Sequence, residues 1–512
     1  MDATDLPKPL KAMFMRVGTR WPWLAIGLLV FPLSVAYALK VHATSDDAYI
    51  YLVYVRNLVE GNGLTFNGTV VEGYSSVAWM FLLCVLGLLP IPFLSLPQLG
   101  LLLGYASGLF ALFTTYHLAR RCGLEASWAL LPVALLAATG DFAFYMSSGL
   151  ETVFFVALVP LCVGKLYDDD LSATLRSYAF PLLMTLTILA RPEGALLCGL
   201  VLLCALISTR SLWLPVRCGL VLSATLAPVF VVRRIHYGYW LPNTYYVKSN
   251  PGLASIEQGI DYLDKAFHRY DSIVIVFVLL CAWALWRRVA GRGRDEPSVG
   301  GGAGGLVAPL LFICVVWLLQ VTVQGGDNLV GSRVLLPVLP LLYVALVLLA
   351  RRLPLISTAV LTALLCGVLV WRYLGDEALA NQTGMLERSS KIYRAAGELL
   401  RDRYPPDTLV ALNPAGIIPY YSGLPTIDML GLNDVHIAHH GRRDPKTLFG
   451  HQMGDGAYVL ARKPDIILFG AALGRNASPY FVSDRQIWAS EDFRENYEPV
   501  RWFQVGWAWA RK

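Results

Sequence analysis

Thr44-Ser45-Asp46-Asp47-Ala48-Tyr49 begins a few residues after the first long apolar run of the chain ends. Two adjacent carboxylates therefore stand where a hydrophobic span meets water. Ionisable residues at such a boundary are costly to bury and serve chemistry, ion pairing or transport. The polar loop that continues from them carries Arg56, Asn57, Glu60, Glu72 and Tyr74, then runs into a second apolar span.

Composition sets the class. Of 512 residues, 56% are hydrophobic and 15% charged, against about 25% charge in a soluble globular chain. The chain reads as a polytopic membrane protein. Crossing the hydrocarbon core takes roughly 20 apolar residues. Candidate spans are 22–40, 76–92, 97–118, 126–140, 151–167, 177–190, 195–208, 213–231, 272–289, 305–323, 334–350 and 355–372. A transmembrane barrel would show weak alternating segments instead, so a helical bundle is expected.

Orientation follows from lysine and arginine. Basic clusters lie at Lys8–Arg20, Arg120-Arg121, Lys165–Arg176, Arg210–Arg217, Arg287–Arg294 and Arg351-Arg352. Placing all of them in the cytoplasm puts 41–75, 141–150, 191–194, 232–271, 324–333 and 373–512 on the external side. The alternation fails only between 76 and 118, where two apolar stretches would return the chain to the wrong side. One of them is expected to be re-entrant or tilted, giving about eleven crossings, with twelve as the alternative. The net charge of +6 is mostly this bias, and no basic face remains for nucleic acid.

The first span reads as an uncleaved anchor, although Ala36-Tyr37-Ala38 resembles a signal cleavage site. The nine cysteines fall in or beside apolar spans with no Cys-x-x-Cys pair. They read as small core residues rather than disulfides, metal ligands or redox groups.

Two parts are expected: a bundle over 1–372, with 41–75 as its first external loop, and a soluble domain over 373–512. The tail has helical patterning in 385–402. Strand-like runs lie at Thr408–Leu412, Pro425–Met429, Asp465–Phe469 and Trp502–Trp509, separated by Pro405-Pro406 and Gly423. A small α/β or α+β domain is predicted. The Gly300–Gly305 run lacks a following Gly-Lys-Ser/Thr and reads as a flexible linker, not a phosphate-cradling loop.

Polar groups concentrate in five external segments. These are the acid pair's loop, Asp141 with Ser148-Gly149-Leu150-Glu151, and Arg191-Pro192-Glu193-Gly194. The others are Arg233-Arg234 followed by Asn243-Thr244-Tyr245-Tyr246-Val247-Lys248, and Gly325-Gly326-Asp327-Asn328 leading to Arg333. All lie at the same membrane face, which suits a site that meets an anionic lipid headgroup.

Asp46-Asp47-Ala48-Tyr49-Ile50-Tyr51, Arg56-Asn57, Glu60, Asn67, Glu72-Gly73-Tyr74 and Trp79 together resemble the first external loop of the GT-C membrane glycosyltransferases. The branch most similar contains the terminal β-1,2-arabinofuranosyltransferases and their Gram-negative relatives, which modify glycans or pilin. Ser148–Thr152, Ala190–Gly194, Pro242–Lys248, Gly325–Arg333, Pro419-Tyr420-Tyr421 and Asp428–Asp434 continue the resemblance in order along almost the whole chain.

The resemblance implies a GT-C fold with a periplasmic C-terminal domain. It also implies a multi-pass location in a bacterial inner membrane and an inverting transfer from a polyprenyl-phosphate sugar, D-arabinofuranose first. A hexose or aminosugar donor is the alternative. The acceptor is a periplasmic glycan or a protein such as pilin, and membrane lipids are the surrounding partners. An acceptor hydroxyl must lose its proton as it attacks, and a carboxylate within reach can take it. The acidic motif of the family falls on Asp46 and Asp47, with Asp46 the first choice as base; helix capping is the structural alternative. Lys248 and Arg333, then Arg191, would meet the charge of the departing lipid phosphate, or would be snorkelling charges at helix ends. Arg233 and Arg234 read as interfacial anchors.

Glu72, Glu193 and Asp327 would hold sugar hydroxyls, position those cations, or form structural ion pairs. Asn243 joins the sugar- or acceptor-binding set. Tyr74 and Tyr246 suit sugar stacking or an interfacial belt. His436, His439, His440 and His451, with Asp434 and Asp444, have side chains of zinc-ligand type, but read as solvated or acceptor-facing, and no metal is assigned. The resemblance requires no cofactor, although divalent ions occur in some GT-C enzymes. A transporter of lipid-linked glycans is the rival class. It calls for intramembrane acids or broken, repeated spans, of which the chain has few.

Overall fold

Hydrophobic runs become helices because lipid leaves no other partner for the backbone. The computed structural model describes residues 21–249, 252–289, 303–351, 353–448, 450–471, 478–502 and 506–512. The Lys8–Arg20 and Arg287–Arg294 clusters and the Gly300–Gly305 linker fall wholly or largely outside them. Among the described residues, six helices are long and apolar enough to cross a membrane: Trp21–Lys40, Leu96–Arg121, Trp213–Tyr237, Leu253–Trp283, Gly305–Gln324 and Leu355–Gly375. Ala126–Ala137 and Gly140–Met146 make a further pair, bent by 73°. Val77–Leu88, Thr152–Tyr167, Ala179–Ala190, Gly194–Thr209 and Leu336–Ala350 are shorter apolar helices packed among them. The chain is a multi-pass helical membrane protein.

Of the two apolar stretches between 76 and 118, the second forms a 26-residue helix and the first only a 12-residue one. At 1.5 Å per residue the short one spans about 18 Å, less than the ~30 Å hydrocarbon core. The predicted span 272–289 is the latter half of a 37-residue helix, Leu253–Val289. Its first half was expected in a loop. No proline interrupts it, and Asp261–Lys265, an i,i+4 pair at 2.6 Å, supports the helical turn there.

The C-terminal part begins where Asp376 caps the helix Glu377–Arg403 by accepting the Leu379 N–H at 3.0 Å. Its strands are β1 (Val410–Leu412), β2 (Thr426–Asp428), β3 (Arg442–Arg443), β4 (Met453–Gly454), β5 (Ile466–Ile467), β6 (Tyr497–Trp502) and β7 (Gly506–Arg511). One mixed sheet has the order β2-β1-β5-β7-β6, and β3 pairs with β4. β2, β1 and β5 are parallel, with Val410 opposite both Thr426 and Ile466. All residues of these three strands are buried, as a parallel sheet covered on both faces requires. The run Trp502–Trp509, read as one strand, instead straddles a hairpin whose arms pair Tyr497 with Arg511 and Pro499 with Trp509. Pro499 has no N–H to donate, which suits β6 to the sheet edge.

The loops leaving the carboxyl ends of β1 and β2 dock this sheet onto the bundle. The platform is the helix Asp46–Val59 of the first loop, hereafter the loop helix, in which Ala48, Ile50–Val55 and Asn57 are buried. Asp46 turns away from its own helix. Its Oδ2 accepts the Gly416 N–H at 3.0 Å and its Oδ1 the Ile417 N–H at 2.8 Å, so it caps the short helix Ile417–Ser422 after β1. A side chain at 416 would fall on the Asp46 carbonyl oxygen, so only glycine fits there. Burial pushes the Asp46 carboxyl up to about 7. The two N–H donors oppose that shift and the neighbouring Asp47 adds to it.

The loop after β2 makes the second joint. The Tyr54 hydroxyl, wholly buried, lies 2.9 Å from the Val71 carbonyl and 3.0 Å from Asn433 Oδ1. The Asn243 amide donates to the carbonyls of Gly431, Leu432 and Asp434 at 2.7, 3.2 and 3.2 Å. Glu72 closes the arrangement by pairing with Arg233 through both oxygens, at 2.5 and 2.9 Å.

Arg233→Ala should destabilise the purified protein by about 3–5 kcal/mol, because it strands a buried carboxylate. Replacing Glu72 and Arg233 together by leucine should recover most of that loss, and thermal unfolding in detergent measures both. Asp46 gives a pH signature. Its folded pKa lies above the ordinary carboxylate value of ~3.9, so its contribution to stability is complete below that value and is lost as pH rises through about 7. The difference in melting temperature between wild type and Asp46→Asn should therefore change across this window and level off on either side.

Candidate active site

Beside Asp46, Asp47 occupies the same first helical turn, where the helix dipole favours negative charge. Asp47 is half-buried and makes no hydrogen bond or ion pair among the described residues. Its charge instead acts on Arg333.

Arg333 ends the loop that follows the helix Ala303–Gln324. Its Nε lies 2.5 Å from Asp327 Oδ2. Asp327 Oδ1 in turn accepts the Asn328 N–H at 2.9 Å. Burial opposes ionisation of Asp327, but Arg333, Lys248 and Arg191 outweigh it and hold the carboxyl below its usual range. The loop is pinned one residue before Arg333: the Ser332 N–H donates to the fully buried Asp141 at 3.0 Å. Tyr270 donates to the same oxygen at 2.7 Å.

Arg191 lies between the helices Ala179–Ala190 and Gly194–Thr209. Its two terminal nitrogens reach Glu151 at 2.6 Å and Glu193 at 2.9 Å. Burial disfavours the Glu193 charge, yet Arg191 holds that carboxyl below its usual range. Lys248 ends the short helix Asn243–Lys248. It is exposed, makes no hydrogen bond or ion pair among the described residues, and acts on Asp327 through space. The geometry thus gathers Asp47, Glu151, Arg191, Glu193, Lys248, Asp327 and Arg333 into one electrostatic neighbourhood. Five of the seven are paired, and one acid and one base are not.

The other predicted site residues lie at joints. Glu72 is held by Arg233, which is buried in that pair and is no interfacial anchor. Asn243 has its amide on three carbonyls of the C-terminal part. Tyr74 is buried, its hydroxyl 3.1 Å from that of Tyr237 and its ring edge-on to Tyr54. Tyr246 packs against His439 with ring centres 4.2 Å apart. Asn243 and Tyr246 flank the turn that presents Lys248, so they orient it from outside the charged cluster.

His436, His439 and His440 lie near one another on one short helix, with ring centres 5.3 Å (His436–His440) and 6.4 Å (His439–His440) apart, but His436 and His439 are engaged by different partners. His436 pairs with Asp455 at 2.9 Å, and His439 stacks on Tyr239 at 4.0 Å. Asp434 caps the helix Val435–His440, and Asp444 pairs with Arg485 at 2.5 Å. Among the described residues no group of three or more His, Cys, Asp or Glu side chains is placed to hold a metal ion. Sequence reasoning passed over Glu151 as a site residue and misjudged Arg233. The Ser148-Gly149-Leu150-Glu151 motif was a signal for the first, since an acid at the start of an apolar helix calls for a cation.

A family profile described as "Domain of unknown function (DUF8728)" matches residues 382–511. In sequence the chain is 31% identical over 328 residues to the terminal beta-(1->2)-arabinofuranosyltransferase of Mycobacterium tuberculosis. The match covers 58% of this chain and 51% of that protein, so the chain spans about half the length of the curated relative it matches. In structure it is similar to ArnT from Cupriavidus metallidurans bound to undecaprenyl phosphate. The TM-score is 0.55 at 15% identity, covering 80% of this chain and 86% of that one. The apo form of the Archaeoglobus fulgidus oligosaccharyltransferase gives a TM-score of 0.53 at 11% identity, covering 96% of this chain and 74% of that one. With these likenesses and the bundle and sheet described above, the chain has the GT-C fold of the membrane glycosyltransferases.

Proposed function

We propose that the chain is a glycosyltransferase that moves D-arabinofuranose from a polyprenyl-phosphate donor to an acceptor hydroxyl at the periplasmic face of a bacterial inner membrane. The observation that carries this reading is the pairing pattern. Of the seven charged groups, Asp47 and Lys248 have no hydrogen-bond or ion-pair partner among the described residues, and they act through space on the two members of one pair, Asp47 on Arg333 and Lys248 on Asp327. A free carboxylate and a free ammonium beside a membrane suit a reaction that takes up a proton at one place and releases lipid phosphate at another.

We assign Asp47 the role of base. It accepts the hydroxyl proton while the acceptor oxygen forms a bond to the anomeric carbon. The bond from that carbon to the phosphate oxygen breaks, and its electron pair leaves with the polyprenyl phosphate. Lys248 and Arg333 meet the charge gained there. Asp327 orients Arg333, while Glu151 and Glu193 occupy Arg191, which therefore acts as a positioning residue. Asp46 takes a positioning role as well, because both of its oxygens accept backbone N–H groups. Its raised pKa suits a base, but reach decides before pKa does. The reading calls for no metal, since lysine and arginine meet the phosphate. Arabinose is supported by the name of the Mycobacterium tuberculosis relative, and the lipid phosphate by the undecaprenyl phosphate in the ArnT structure.

Purified protein in lipid nanodiscs, given radiolabelled polyprenyl-phosphate arabinofuranose and an arabinofuranosyl oligosaccharide, should form a longer oligosaccharide. Asp47→Asn should lower kcat by about 10²–10⁴-fold with donor binding intact. Full transfer by Asp47→Asn would overturn the base assignment. Absent binding of this donor, with turnover of a hexose or aminosugar donor, would replace the sugar. Binding and movement of the lipid across the bilayer without transfer would make the chain a carrier. Lys248→Ala should cost about a hundredfold in kcat, partly restored in Lys248→Arg, measured in the same assay.

A further inference from the structure

At the far end of the loop helix from Asp47 lies a cavity of about 880 Å³ that the charged cluster does not use. One wall is the end of that helix and the turn after it; the other is the end of the helix Ile417–Ser422 with the residues that follow it, and Arg401 and Pro406 complete the lining. Its volume falls within the ~300–1,000 Å³ of small-molecule sites.

The floor is rigid. Arg56 donates to the Pro419 and Tyr420 carbonyls and to Asn67 Oδ1, the last at 2.7 Å. Asn67 donates to the Leu424 carbonyl at 2.8 Å. Asn67 holds φ at +43°, a left-handed conformation that asparagine tolerates, so the floor is built at a local conformational cost. The rim differs. The Asn62 amide and the Tyr420 hydroxyl make no hydrogen bond among the described residues, and Glu60 has only a 3.9 Å contact with Arg56. Tyr420 and Tyr421 stand at right angles with ring centres 5.0 Å apart. Tyr49, two residues beyond Asp47, is edge-on to Tyr420 at 5.2 Å. The aromatic cluster thus runs from the first turn of the loop helix to the cavity.

We infer that this cavity binds the distal, non-reacting sugars of an extended neutral glycan acceptor. The inference rests on the transferase reading above. Sugar rings offer C–H faces to aromatic side chains, and vicinal hydroxyls match the paired donors and acceptors of amides and carboxylates. Two arginines and one glutamate line the cavity, too little charge of one sign to favour a phosphorylated or acidic ligand. From Asp47 to Glu60 the loop helix rises by roughly 20 Å, which only an acceptor several sugars long would span. A short peptide acceptor has no use for such a site.

The test compares an arabinofuranosyl disaccharide with a longer linear arabinofuranosyl oligosaccharide, both as transfer acceptors and as ligands titrated directly into the protein. Wild type should prefer the long acceptor in kcat/KM by about tenfold or more. Asn62→Ala and Glu60→Gln, both exposed positions, and Tyr420→Ala should each reduce that preference by raising KM for the long acceptor. Equal kcat/KM for both lengths, a wild-type preference that all three variants keep, or transfer to a pilin-type peptide alone would overturn the inference and leave the transferase reading standing. Direct binding of the long oligosaccharide that the three variants weaken, with no transfer from any lipid-linked sugar, would support the cavity and sink the transferase reading.

Discussion

The Asp46 carboxylate bound to two backbone N–H groups of the C-terminal part is the constraint on which the rest of the arrangement depends. It joins the first turn of the loop helix to the loop leaving β1. The neighbouring residue, Asp47, is thereby turned toward the bundle and the arginines. Because no side chain fits at Gly416, which precedes the capped helix, the two surfaces approach closely at the joint. Hydrogen bonds to a charged group contribute about 1.5–3 kcal/mol each when made and cost more when a buried partner is left alone.

The same cost explains the sorting of charges at the membrane end. Glu72 with Arg233, Arg191 with Glu151 and Glu193, and Arg333 with Asp327 are each paired in partly dry surroundings. A buried ion pair adds little net stability, but removing one member is expensive. Such pairs therefore behave as fixtures. Groups without a protein partner are the ones able to exchange a proton or meet a ligand, and of the seven charged groups these are, among the described residues, Asp47 and Lys248. The turn that presents Lys248 is held from outside by Asn243 and Tyr246, so the sheet's loops control a residue that belongs to the bundle.

The loop helix consequently has two ends with different character. Its first turn faces the charged cluster, and its last turn faces a cavity lined by amides, two tyrosines, two arginines and one glutamate. Both ends are roofed by the segment 413–425, which leaves β1 and enters β2. A single docking surface thus shapes the reacting centre and the more distant groove together.

Apolar runs, basic flanks and short strand-like runs between breakers are properties of neighbours in sequence. For that reason the multi-pass bundle and the strands β1, β2 and β5 were legible from the residues alone. The motif order also pointed to Arg191, Glu193, Asp327, Arg333 and the acid pair as one constellation. The hairpin of β6 and β7 was not legible, because Trp502, Trp507 and Trp509 read as one aromatic run. Nor was the proposed choice of Asp47 over Asp46 as base, since the sequence reading puts Asp46 first. That choice rests on Gly416, 370 positions away from Asp46. The reassignment of Glu72 rests on Arg233, 161 positions away. Sequence by itself determined which segments could be buried and where charge would collect. Only the tertiary structure decided which of those charges are paired, because pairing depends on distances through space that no local pattern records.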